Sequence, residues 1–222
     1  MYPFYRQVMS YSNWRHTLKN EIVISANGEV LAPPDTVIIK LGVVSRNQNI
    51  EKAQQENAFK MRQIILALKN QFVQENEIKT AVYFVRPIYE NAQNEDSTII
   101  AYEVTNIIEI TTNRLYKTGE IIDTAVQNGA NRVDDIVYQL KTSEPYRKKA
   151  YELAIQESIQ KAQMIANGYG ANVSFPPYKI IEQERAVLAL SQGVAPTTEK
   201  VFFPRDITVS VHLTVHFMFD KI

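Results

Sequence analysis

Two histidines near the end of the chain are the side chains best suited to chemistry. His212 and His216 alternate with apolar residues, so they share one face of a predicted strand. Imidazole nitrogens bind zinc and act as general bases. Four residues of extended chain separate the two rings by about 13 Å, which is too far for one metal ion within a subunit. The spacing predicts ordinary solvent-facing histidines, which only an assembly could bring together with symmetry-related copies.

Other reactive side chains also lack the spacing that chemistry requires. Asp134 and Asp135 are adjacent in a predicted strand and point to opposite faces, so they cannot easily share a proton or a metal. Ser191 lies in a loop-like stretch without a G-x-S-x-G elbow, and the sequence has no glycine-rich phosphate loop. The sequence therefore predicts no catalytic, cofactor-binding or metal-binding residues, with an unrecognised hydrolase as a minor alternative.

The composition excludes further classes of function. The chain has 222 residues, 45% of them hydrophobic, which is enough to bury a sizeable core. It has 24 basic and 24 acidic residues and no cysteine, so we expect neither a nucleic-acid partner nor disulfides, thiolate catalysis or cysteine-ligated metals. No apolar run approaches the roughly 20 residues that span a bilayer. Because residues 1–20 lack a secretory signal pattern, we expect a cytoplasmic location.

The elements that would position any site begin with two strands and a helix. Alternating apolar residues predict strands over residues 21–26 and 36–44. Asn27-Gly28 and Pro33-Pro34 lie between them and favour a turn, so we expect a hairpin-like pair. Apolar residues at helical spacing then predict an amphipathic helix over residues 50–70, with Ile50 on its inner face.

The middle of the chain repeats this pattern. We expect strands over residues 78–89 and 98–111, joined by a polar loop, with Asn106 interrupting an apolar face. We favour a hydrogen bond to a turn or strand edge for that side chain over a ligand role. A helix over residues 114–128 follows, with Thr112 as its cap, Leu115, Ile122 and Val126 inside and Gly129 at its end.

The last third contains the longest predicted elements. A strand over residues 131–141 precedes a helix from Ser143 to about residue 167, in which Ala150, Ala154, Ser158, Ala162 and Ala166 form a small-residue ridge. Residues 172–183 are extended but broken by Pro176-Pro177, and residues 184–200 are predicted to form a long loop. Residues 207–219 alternate almost perfectly, and their length predicts a strand that extends beyond one compact core.

Read in order, these pieces resemble the SIMPL domain family of bacteria. The resemblance covers about residues 21–219. It is carried by Gly28, Pro34-Asp35, Gly42-Val43, residues 102–106 (YEVTN), Gly129-Ala130-Asn131, the helix with Lys161-Ala162, Ala166 and Gly170, and the closing DITVSVHLTVHF pattern.

The resemblance implies an α+β fold of two intimately joined lobes, with long antiparallel strands covered by helices. Residues 1–20 would be an N-terminal arm and residues 21–219 one domain, with residues 21–95 plus 172–219 in one lobe and residues 98–170 in the other. The family implies ring-like homo-oligomers, an extracytoplasmic alternative for location, and no catalytic residues.

Two functions follow as hypotheses. The first is a non-enzymatic, self-associating protein of the stress or cell-envelope type, in which the long strands, the arm or residues 184–200 mediate assembly. The second is a module that binds a small molecule or peptide in the cleft between lobes or along an edge strand.

Overall fold

The protein folds into strands and helices that form two sheets. It is represented by a computed structural model that describes residues 20–71, 73–90, 98–183 and 204–221. The strands are β1 (Glu21–Ala32), β2 (Thr36–Asn47), β3 (Ile78–Tyr89), β4 (Ile99–Thr112), β5 (Arg132–Gln139), β6 (Ala171–Val173), β7 (Lys179–Gln183) and β8 (Ile207–Lys221). The helices are α1 (Ile50–Asn70), α2 (Thr118–Gln127) and α3 (Glu144–Gly168). This composition confirms the predicted α+β class.

Contacts divide the chain into two compact units. Of the described residues, the first unit holds 20–28, 152–183 and 211–221, and the second holds 29–71, 73–90, 98–151 and 204–210. The lobes expected over residues 21–95 plus 172–219 and over residues 98–170 stay a prediction. In the structure, β2 pairs with both β4 and β5 in one sheet. The predicted N-terminal arm, apart from Asn20, and the predicted loop over residues 184–200 lie outside the described residues.

The second unit is a four-stranded sheet covered by α1 and α2. Its strand order is β3-β4-β2-β5, and all three pairings are antiparallel. Alternation along β2 places Val37, Ile39, Leu41 and Val43 on one fully buried face. That face packs with apolar residues of β4, β5 and the two helices into one core.

Helix α1 has the bounds predicted from its periodicity. The Asn49 side chain accepts a hydrogen bond from the Lys52 amide at 3.0 Å and so caps the helix. Met61, Ile64 and Leu68 are buried on its inner face, which confirms the amphipathic pattern. Ile50 instead lies 39% exposed at the first helical position.

The helix predicted over residues 114–128 is shorter than expected. A 3₁₀ turn occupies Leu115–Lys117, and α2 begins at Thr118. The 3₁₀ turn has about three residues per turn, so it changes the phase of the side chains that follow. Ile121, Ile122 and Ala125 are buried, whereas Val126 is exposed and its predicted inward position is wrong.

The first unit is built around β8. β1 pairs with one side of β8, while β6 and β7 pair with the other. The alternation along β8 is confirmed, since its odd-numbered residues from Val211 to Phe217 are buried. The predicted hairpin is wrong: β1 runs through Asn27-Gly28 without a turn, and its partner is β8 rather than β2.

Helix α3 has the small-residue ridge predicted for it. Within the first unit Ala154, Ser158, Ala162 and Ala166 are all buried. Small side chains let a helix backbone approach its neighbours closely.

Within the described ranges, no helix has the length and apolar character needed to cross a membrane.

Candidate functional site

His212 and His216 each have a polar partner on β1. The Nδ1 atom of His212 lies 2.5 Å from Oδ1 of Asn27, and Nδ1 of His216 contacts Oε1 of Glu21. Both histidines are partly buried and lie on the more exposed face of β8. The sequence missed these contacts because it did not identify β1 as the neighbour of β8.

Glu21, His216 and Tyr178 form a polar cluster in the first unit. The Tyr178 amide donates to the His216 carbonyl at 3.1 Å, which places the phenol ring edge-on to the imidazole with centroids 5.8 Å apart. The Tyr178 hydroxyl donates to Oε1 of Glu21, and this hydrogen bond to a carboxylate raises the pKa of Tyr178. The Tyr178 hydroxyl and the His216 ring therefore contact the same oxygen, Oε1 of Glu21.

This cluster is not arranged like a hydrolytic triad. A triad needs its nucleophile hydrogen-bonded to the base. Here the Tyr178 hydroxyl bonds the carboxylate, and the nearby Ser174 hydroxyl donates to Asp220 at 3.1 Å. Among the described residues, no group of three or more histidine, aspartate or glutamate side chains could hold a metal ion.

Glu21 also lines a pocket in the first unit. The pocket has a volume of about 430 Å³, within the range of small-molecule sites. Apart from Glu21, its described lining is apolar or aromatic and consists of Ile22, Ile165, Ala166, Tyr169, Ala171 and Phe219. The sequence contained no signal for this pocket, because its walls come from three distant segments of chain.

A larger pocket of about 860 Å³ lies in the second unit and is lined mostly by polar residues. Arg114 forms an ion pair with Glu77 at 3.0 Å, and the Asp35 carboxylate accepts hydrogen bonds from the Thr36 hydroxyl and the Lys141 amide. Burial raises the pKa of Glu77, but hydrogen bonds from Gln74, Arg114 and Thr112 outweigh that effect and lower it. The acidic groups of this pocket are therefore committed to structural contacts.

The YEVTN segment contributes a buried carboxylate. Glu103 is 3% exposed and lies between Arg46 and Arg86, with nitrogen to oxygen distances of 2.7 and 2.6 Å. Burial raises the pKa of Glu103, but the two guanidinium groups outweigh that effect and lower it. Register explains the cluster, because Arg46 and Arg86 stand opposite Glu103 on the two strands beside β4.

The other family motifs in the second unit also have structural roles. A Cβ atom on Gly42 would lie 2.0 Å from the Asn106 carbonyl oxygen, so only glycine fits there. Gly129 has a φ of +106°, which favours glycine at the turn after α2. The Asn131 side chain then bonds both the amide and the carbonyl of Val44 at 2.7 Å. These residues fix the loop after α2 to β2.

Asn57 is the buried amide that the sequence did not identify. It is 1% exposed, and its Nδ2 donates to the carbonyls of Val43 and Val104 at 3.0 and 3.1 Å. Asn106, which was expected to interrupt a buried face, is only partly buried.

The adjacent carboxylates Asp134 and Asp135 have different partners. Asp134 bonds Arg132 at 2.5 Å, whereas Asp135 stands opposite Lys40. Ser191 lies outside the described residues.

The edges of the two sheets differ. At β1, the Glu157 carboxylate accepts from the Asn27 amide at 2.5 Å and the Lys161 ammonium donates to the Ser25 carbonyl at 3.1 Å. Those charged groups from α3 occupy the outer side of β1. β3 and β5 are the two end strands of the other sheet, and within the described part of the chain no strand lies on the outer side of β3.

β3 also exposes apolar groups on both faces. Val82 and Phe84 point to one face and are 39% and 42% exposed, while Tyr83 points to the other and is 53% exposed. A shift of register between Thr80 and Val82 and a proline at position 87 bracket residues 82–86. A bulge and a proline discourage pairing, so they limit the open part of β3 to this segment, which is termed the β3 edge.

Comparison with known proteins agrees with the motifs. Residues 22–217 match the model of the SIMPL family, described as proteins of unknown function. The uncharacterized protein YggE of Edwardsiella ictaluri is 24% identical over 72% of this chain and 66% of its own length. The 26 kDa periplasmic immunogenic protein of Brucella melitensis is 23% identical over the same shares. YggE of Escherichia coli is 27% identical over 72% of this chain and 64% of its own length.

The match to these relatives therefore spans just under two thirds of their length. The family match is broader and covers the chain from β1 to β8. The chain belongs to the SIMPL family.

Proposed function

We propose that this chain is a non-enzymatic, self-associating protein of the cell envelope or stress response, in which the β3 edge pairs with another copy. The observation that carries the proposal is an end strand with exposed apolar residues on both faces. Exposed strand edges of this kind are templates for pairing unless they are blocked. The contrast with β1, where Glu157 and Lys161 occupy the edge, supports β3 as the pairing site.

The roles of the family motifs support the non-enzymatic part. Gly42 and Gly129 meet backbone requirements, and Asn131 and Glu103 form buried or bridging contacts. These motif residues are therefore used for architecture. The periplasmic relative from Brucella melitensis supports an extracytoplasmic location over the cytoplasmic one expected from the sequence.

Light scattering coupled to size exclusion tests the self-association. At micromolar concentration we expect a mass that is a multiple of the 25.4 kDa chain. Val82→Lys combined with Phe84→Lys places two charges on the β3 edge and should move the mass toward one chain. Phe59→Lys on α1 is the matched control, because Phe59 is 57% exposed outside the sheet. A monomeric parent with full secondary structure would overturn the proposal.

A second candidate function is small-molecule binding. The specific observation that favours it is the apolar pocket of about 430 Å³ beside Glu21. It lies within one unit, unlike the cleft between lobes that the sequence suggested.

A further inference from the structure

The apolar pocket of the first unit lies where the chain enters that unit. Its described lining comes from the start of β1, the end of α3 and the end of β8, and includes Ile22, Ile165, Tyr169 and Phe219. Asn20 is the first described residue, and its carbonyl accepts a hydrogen bond from the Phe219 amide at 3.0 Å. The chain that precedes Asn20 therefore joins the first unit beside a wall of the pocket.

The pocket walls offer apolar surface to an occupant. Ile165 is 41% exposed and Tyr169 is 83% exposed. Removing such surface from water is favourable roughly in proportion to its area. Glu21 is the one charged residue among the described lining, and its carboxylate already has Tyr178 and His216 as partners. The lining therefore favours a large apolar or aromatic group.

The residues before Asn20 supply such groups. Residues 1–19, which lie outside the described residues, contain the aromatic side chains Tyr2, Phe4, Tyr5, Tyr11 and Trp14. Trp14 is the nearest of these to Asn20, and six residues of extended chain span about 20 Å. A side chain tethered this closely has an effective concentration on the order of millimolar. That concentration favours the chain's own segment over a second copy present at micromolar concentration.

We propose that the chain's own N-terminal segment closes this pocket, with the Trp14 ring packed against Ile165, Tyr169 and Phe219. The segment then belongs to the first unit and is not a contact between copies. The proposal uses no residue of the β3 edge and does not rest on self-association. A small molecule that binds in this pocket would have to displace Trp14.

Intrinsic fluorescence of the full chain tests the position of Trp14. Trp14 is the only tryptophan in the sequence, so the emission reports on this side chain alone. Tryptophan in apolar surroundings emits at shorter wavelength than tryptophan in water, and iodide quenches it less. We expect short-wavelength emission and weak quenching for the parent. Emission and quenching like those of free tryptophan would overturn the proposal.

Variants on α3 assign the burial of Trp14 to this pocket. Ile165→Asp places a charge in the pocket wall, so it should shift the emission to longer wavelength and increase quenching. Ile155→Asp is the matched control, because Ile155 is an isoleucine of α3 that is 46% exposed and outside the described lining. If Ile165→Asp does not fold, as judged by circular dichroism, Tyr169→Asp is the second variant. Parental emission in a folded pocket variant, or an equal shift in the control, would contradict the assignment.

Dilution separates the chain's own segment from the segment of a second copy. If Trp14 packs within its own chain, its emission should not change between micromolar and nanomolar protein. Val82→Lys combined with Phe84→Lys should also keep the parental emission, whether or not the parent associates through the β3 edge. A shift to longer wavelength on dilution or in that variant would place Trp14 on another copy and overturn the proposal.

Discussion

At the scale of single residues, Glu103 shows how ion pairs stabilise a buried charge in the second unit. It is a buried carboxylate between two arginines whose own side chains are mostly exposed. Removing such a carboxylate from water is costly, and the cost is offset only while both guanidinium groups remain in place. Its contribution to the free energy of unfolding therefore depends on its ionisation.

The sign of that dependence follows from the lowered pKa of Glu103. The folded state holds this carboxyl's pKa below its ordinary value of 4.5, so the unfolded state binds more protons near that pH. The stability contributed by Glu103 is fully present above about pH 4.5 and is lost as the pH falls through the folded pKa.

Urea denaturation at several pH values checks this prediction. Glu103→Gln should lower the free energy of unfolding at pH 7 by about 1–3 kcal/mol, because the variant loses two charge-assisted contacts. The difference between variant and parent should shrink as the pH falls from 5 to 3. The exposed Glu29→Gln is the control and should stay near the parent. A difference that is constant with pH would show that Glu103 acts through packing alone.

At the scale of elements, the close packing of β4 against β2 determines which residue fits at position 42. β2 lies in the middle of its sheet, and the β4 backbone passes Gly42 too closely for any side chain. The obstacle is a carbonyl oxygen of the main chain, which cannot rotate away as a side chain can. Gly168, at the end of α3, makes a matched comparison, because a Cβ atom there would meet no described atom within 4 Å.

Gly42→Ala should destabilise the protein by about 1–3 kcal/mol or more, because the added methyl forces the β2 and β4 backbones apart. Gly168→Ala should be neutral or slightly stabilising, since alanine favours the helix. Thermal unfolding of both variants measures the contrast. Equal melting temperatures for the two variants would mean that β2 and β4 separate without cost.

The strongly periodic elements could be predicted from the sequence, whereas their partners could not. β8 and α1 follow from alternation and from helical spacing, because both patterns depend on local geometry. The pairing of β1 depends on β8, which lies far along the chain, so a local Asn27-Gly28 signal gave the wrong neighbour. The contacts of His216 and the pocket beside Glu21 depend on that same pairing and were missed with it.

At the scale of the whole molecule, the end strands β1 and β3 differ in the groups that lie along their outer sides. β1 is covered by Glu157 and Lys161, which themselves form an ion pair at 3.0 Å. The hydrogen bond from the Asn27 amide is the largest cause that holds the pKa of Glu157 below its ordinary value. The β3 edge carries apolar side chains instead, and this contrast is the basis of the proposed association through β3.

Amide hydrogen exchange at two protein concentrations tests that explanation most directly. If β3 pairs with another copy, amides within residues 82–86 should exchange more slowly at high concentration than at low concentration. Amides on the exposed face of α1 should not change, and Val82→Lys combined with Phe84→Lys should remove the difference. Exchange at residues 82–86 that does not depend on concentration, in a sample whose mass shows association, would contradict pairing through β3.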